Sequence, residues 1–180
     1  MKKFLTFKNI LICAALVLAV VAFVLSFVAR FSVTMYGQRG QMLHFVWGCD
    51  ESIVEGHKEV LPNKAGVSAI LATGSLFILI GAIGAAVVGF FLKKPWAKWV
   101  VVGLAALVLV GGVFQFFFVR SFANAMGKLA PAEYQKQVAE EYFKMFKSGN
   151  PTSAGVIIEG ILGILAGGAL GAAALLPEKK

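Results

Sequence analysis

The stretch Gly160–Leu176, GILGILAGGALGAAALL, decides the fold. It holds five glycines in seventeen residues and no polar side chain. In water each of those glycines would weaken a helix by about 1 kcal/mol relative to alanine. In a bilayer the balance changes, because no water competes for the backbone and every amide must be satisfied within the segment. Helix is then nearly obligatory, and glycine offers closeness. Lipid tails are as apolar as leucine, so membrane helices associate through tight contact over small residues. Gly163, Gly167 and Gly171 recur every four residues and share one helical face, flanked by Gly160, Gly168 and Ala172. This face is read as a groove for a neighbouring helix.

Three further runs without charge lie upstream, at Asn9–Ala29, Ala65–Leu92 and Trp99–Val119. Each is close to or above the roughly 20 apolar residues that cross a hydrocarbon core. The whole chain of 180 residues is 59% hydrophobic and only 14% charged, against about 25% charged in an ordinary soluble domain. These features predict an all-α integral membrane protein: one domain over residues 1–180, with transmembrane helices at 10–29, 66–92, 99–119 and 154–176. The first run is too long for a signal-peptide core and reads as a retained anchor. The second carries a small-residue stripe at Gly81, Ala85 and Gly89, and the first a weaker one at Ala15, Ala19, Ala22 and Ser26.

The net charge of +8 follows the topology. Eight of the seventeen basic residues fall in three short segments: Lys2, Lys3 and Lys8; Lys93, Lys94 and Lys98; Lys179 and Lys180. Dense lysine in short connectors marks the cytoplasmic side. Both termini are therefore expected inside a cell membrane, with outer loops at 30–65 and 120–153. Membrane lipid is the expected partner of the basic segments, and nucleic acid is not expected. Trp96 and Trp99 belong to the aromatic belt at the inner boundary of the third span.

The outer loops predict a small extracellular cap. Alternation around GQRG, with Val33 and Met35 before it and Met42, His44 and Val46 after it, signals a β-hairpin. Asp50–Leu61 reads as a short helix capped by Asp50. In the second loop Pro131 opens, and Gly149 with Pro151 closes, an amphipathic helix. Its Tyr134, Val138, Tyr142 and Met145 share a face, with Phe146 beside them. Four spans, inner termini, a larger first outer loop and the WGC of Trp47–Cys49 resemble the claudin-like tetraspan membrane proteins. That resemblance implies a tetraspan topology and no junctional role, since the paired second cysteine is missing from the loop. The chain also resembles small membrane proteins of Gram-positive bacteria, which brings no activity with it.

Glu159 is the polar residue of most interest. It lies about six residues, roughly 9 Å, into the fourth span. Gln115 is expected at similar depth, and Arg120 and Arg30 near the same boundary. A membrane polar cluster of Glu159, Gln115 and one of the arginines is the expectation, as a pin on helix register or as a site coupling protons or ions, with Glu159 turned freely to the outer water as the remaining alternative. No metal site is expected: His44, Cys49, Asp50 and His57 match no closed zinc spacing. Cys13 reads as an inert thiol within the first span, and Cys49 as a free thiol or a bridge between copies. No nucleophile elbow, phosphate-cradling loop or Cys-x-x-Cys occurs, so neither an enzyme nor a cofactor is expected. The leading functional reading is a non-catalytic protein acting in assembly or protein–protein interaction, with other membrane proteins or itself as possible homo-oligomer. The alternative is a small transporter or channel subunit built around Glu159.

Overall fold

In the computed structural model the described residues are 6–29, 31–35, 38–43, 46–47, 51–54, 57–60, 69–91, 95–148 and 153–176. They form α1 (Phe7–Val28), four strands, α2 (Ala69–Phe91), α3 (Ala97–Phe114), a 3-10 turn (Gln115–Phe117), α4 (Phe118–Leu129), α5 (Gln135–Ser148) and α6 (Ala154–Leu175). The strands are β1 (Phe31–Met35), β2 (Gln38–Leu43), β3 (Glu51–Val54) and β4 (His57–Val60). Four helical stretches are long and apolar enough to cross a membrane: Phe7–Val28, Ala69–Phe91, Ala97–Leu129 and Ala154–Leu175. The protein is a multi-pass membrane protein.

The helix ends have local causes. The Thr6 hydroxyl accepts from the Asn9 amide at 3.3 Å and so caps α1, and the Ser153 hydroxyl does the same for Val156 at the start of α6. Each satisfies one of the orphan donors of a first turn. Ala130 is extended, with φ −77° and ψ 159°. It precedes Pro131, which disfavours the helical region for the residue before it.

The four long apolar helices fit the expected helical membrane core, but the expected cap of one hairpin and one helix does not hold. Residues 31–60 contribute a four-stranded antiparallel sheet in the order β1-β2-β3-β4. The register pairs Met35 with Gln38, Gly40 with Val54, and Val54 with His57. Arg39 and Gly40 therefore lie inside β2 rather than in a turn, and the expected helix at Asp50–Leu61 is replaced by β3 and β4. A helix of about that length is marginal without packing, whereas sheet pairing gives each strand its hydrogen bonds at once. Helical structure also continues past Val119, the expected end of the third span. Helical structure runs from Ala97 to Leu129, 33 residues, or about 50 Å at the α-helical rise. That exceeds a hydrocarbon core of about 30 Å. Nothing between Phe118 and Ala130 breaks a helix, so it continues to the proline.

The chain divides into two compact units. The first comprises Met1–Phe23, Gly74–Val113 and Glu159–Lys180. Its core is built mostly from small residues: Ala15, Ala19 and Ala22 of α1, Ala82 and Ala85 of α2, Ala105 of α3, Ala166 and Ala173 of α6, with Ile12, Ile78, Val108 and Leu170 between them. Its large apolar side chains point outward, with Val17 61% and Ile80 58% exposed. Water would not tolerate so much continuous apolar surface on a monomer; lipid matches it.

The second unit comprises Val24–Thr73 and Phe114–Ile158. Its core gathers Ala29, Val46, Leu71, Phe122, Ala125 and Val156. Phe122 of α4 meets Tyr142 of α5 edge-on at 6.4 Å. The glycine of α4, Gly127, lies where an added Cβ would be 2.5 Å from the Gln135 carbonyl oxygen and 2.8 Å from the Ala139 methyl. The α4–α5 hairpin closes on that contact.

Candidate functional site

Within the first unit, α2, α3 and α6 meet where a glycine doublet interrupts α3. A Cβ on Gly111 would stand 2.6 Å from the Gly74 carbonyl oxygen of α2. One on Gly112 would stand 2.8 Å from both the Gly160 carbonyl oxygen and the Ile164 amide of α6. Successive helical residues point roughly 100° apart, so the doublet serves one neighbour on each side. Below it, Gly163 approaches the Gly112 Cα and the Ile78 side chain, and Gly167 fits against Leu109. Elsewhere Gly81 abuts Val108, Gly89 abuts the Ile12 side chain, and Ala85 is buried. An added Cβ at Gly168 or Gly171 would meet nothing within 4 Å.

The residues flanking the doublet's contacts carry the polar chemistry. Ser75 follows Gly74, and Glu159 precedes Gly160. Both side chains are buried, and the Ser75 hydroxyl donates to Oε1 of Glu159. Oε2 of Glu159 is enclosed and has no hydrogen-bond partner. Ser75 is the seventh residue of α2 and Glu159 the sixth of α6. Each thus lies roughly 8 to 9 Å from the start of its helix. A buried polar atom left unsatisfied in an apolar setting costs about 1–3 kcal/mol, so the carboxyl is retained at a cost.

The other expected members of this cluster have their own partners. Gln115 is buried in the 3-10 turn of the second unit, and its Nε2 donates to the Leu71 carbonyl at 3.0 Å. The Arg120 guanidinium turns to α5, donating to Glu140 at 2.7 Å and lying 4.7 Å from the Phe143 ring. Arg120 is thus held by α5 and not by Glu159. Its hydrogen bond and charge hold the Glu140 carboxyl below the usual carboxylate range. Arg30 lies outside the described residues.

At the end of α1 in the same unit, the Trp47 indole donates to the Ser26 hydroxyl at 2.6 Å and stacks on Phe27 at 5.3 Å. Trp96 and Trp99 are exposed, with the Lys98 ammonium 5.2 Å from the Trp99 ring. Tyr142 packs into the second unit's core while Tyr134 is exposed, so the expected apolar face of α5 is only partly covered. The side chains of Met145 and Phe146 lie outside the described residues, as do His44, Cys49 and Asp50. Of His57 only the backbone, in β4, is described. Cys13 is a free, exposed thiol on α1.

Sequence reasoning missed Ser75, Gly111 and Gly112. A doublet makes no four-residue stripe, and one hydroxyl in an apolar span looks like filler. The available signal was the coincidence of a small doublet in one span with a carboxylate beside a glycine in another. Compared with known proteins, the chain matches no family model and no curated protein.

Proposed function

We propose that this is a non-catalytic four-span protein of the cell membrane, with both termini cytoplasmic, that acts by binding other membrane proteins or further copies of itself. The lysine-rich short segments support the orientation. The observation that carries the interaction reading is the division of the α6 glycines. Gly163 and Gly167 are closed against α2 and α3, whereas Gly168 and Gly171 have open space beside them and Ala172 is exposed. The open positions form a second small-residue surface suited to close approach by another transmembrane helix.

The test is energy transfer between donor- and acceptor-labelled copies in liposomes, paired with crosslinking in native membranes. Gly168→Leu should lower either self-transfer or the yield of a specific crosslinked partner, while helix content stays unchanged. Wild-type and Gly168→Leu chains that behave alike in both assays would remove this surface from the proposal. Labelling of Cys49 in intact cells with an impermeant thiol reagent checks the orientation.

A further inference from the structure

We propose that the Glu159 carboxyl, held by Ser75 within the first unit, is a proton-binding site inside the membrane: it takes up and releases one H⁺ while the bundle stays assembled. This does not depend on the interaction reading.

The surroundings of the carboxyl decide what it can hold. Glu159 is fully buried, accepts one hydrogen bond from a neutral hydroxyl, and leaves Oε2 without a protein partner. Such an atom, enclosed among apolar helices, calls for a ligand. A metal cation is a poor candidate. Hard cations take about six or more oxygen ligands at roughly 2.0–2.6 Å, and the described side chains offer the Glu159 carboxyl and the Ser75 hydroxyl. The carbonyls of Gly74 and Gly160 that flank the pair face the α3 doublet so closely that not even a methyl group fits at either glycine. A hydrated ion needs far more room than a methyl. A proton needs none, and its chemistry balances on this residue alone: carboxylate plus H⁺ gives the carboxylic acid. The acid form keeps the contact with Ser75, because the proton sits on Oε2 while Oε1, now the carbonyl oxygen, still accepts from the Ser75 hydroxyl.

The packed helices offer few competing charges. Among described residues α2 has no ionisable side chain, and α6 has only Glu159. The single ionisable residue of α3 is Lys98, thirteen residues from Gly111 and so about 20 Å along the helix. Those of α1 are Lys8 and Cys13 in its first two turns. Arg120 is engaged by Glu140 and Phe143. No described cation pairs with Glu159 to fix its charge.

Infrared difference spectroscopy of the full chain in lipid nanodiscs, between alkaline and acidic buffer, tests this. The expected result is a protonated-carboxyl carbonyl band that grows on acidification, is absent in Glu159→Gln, and shifts in frequency in Ser75→Ala. Labelling of Glu159 by a hydrophobic carbodiimide, read by peptide mass spectrometry, should fall as pH rises, because the reagent needs the acid form. Should Glu159→Gln fail to assemble, Ser75→Ala carries the assignment. A difference spectrum identical in wild type and Ser75→Ala overturns the proposal. So does a carbonyl band that never titrates, or carbodiimide labelling that is independent of pH.

Discussion

The two units of this chain build their interiors from opposite materials. In the first, alanine and glycine make up most of the interior, with Ile12, Ile78, Val108 and Leu170 between them, while residues such as Val17 and Ile80 face out. In the second, Phe122, Leu71, Val46 and Val156 lie inside, joined by Tyr142 and Trp47. The second unit also carries the charged helices α4 and α5. Where water is the surrounding solvent, hiding large apolar side chains is the main favourable term, about 25 cal/mol per Å². Where lipid is the solvent, hiding leucine gains little, and the stable arrangement is the one in which backbones approach most closely. One sequence thus follows two packing rules.

The sharpest way to break this comparison is Phe122→Ala. The ring is fully buried, and its loss should cost the α4–α5 hairpin about 3–5 kcal/mol, read as faster hydrogen exchange over residues 118–148. A cost equal to that of the exposed Asn124→Ala would show that the second unit is not held by large side chains. Next comes Gly112→Leu. Its added carbons meet backbone atoms of α6 that cannot rotate away, so about 3 kcal/mol or more is expected in denaturant unfolding in mixed micelles. Gly168→Leu, on the open side of α6, should stay within about 0.5 kcal/mol in the same measurement. If the two variants matched, close approach would not be what holds the first unit.

Smaller effects sharpen the picture. Trp47→Phe keeps an aromatic ring against Phe27 but removes the hydrogen bond to Ser26, at about 1 kcal/mol. Tracking this needs thermal melting by circular dichroism, since the substitution removes a fluorophore. Smallest of all is the Arg120–Glu140 pair, whose partners are nearly half exposed and therefore well screened. Arg120 holds the Glu140 carboxyl low. The pair's contribution is therefore complete above the ordinary glutamate range. It fades as acid carries the solution below that range and through the depressed folded value. Glu140→Gln should flatten this acid limb, and high salt should flatten it in the wild type; a limb unchanged by either would assign it to another group.

The sequence made some of this legible for physical reasons. Long apolar runs bounded by lysine and arginine have few alternatives to spanning helices, and four-spaced glycines such as Gly163 and Gly167 declare a face. Residues 51–60 were harder. Asp50 looks like a helix cap, and pairing of β3 with β2 on one side and β4 on the other makes strands the better choice. Charge at Arg120 ends a hydrophobic run without ending a helix, so helical structure runs on past Val119. Glu159 announced itself as a lone acid in an apolar segment. Its partner Ser75, 84 positions earlier, did not, since a serine in a membrane helix can satisfy its hydroxyl on its own backbone.

The helix seams also constrain how this sequence can drift. Gly89 is crowded only by the flexible end of Ile12, so a larger residue there is tolerable once Ile12 shrinks, and the two positions can change in concert. Gly112 is crowded by carbonyl and amide groups, which are present whatever residues occupy α6. No second-site replacement restores the space, so descendants of this chain are free to trade volume at the first seam and must keep hydrogen in place of a side chain at the second.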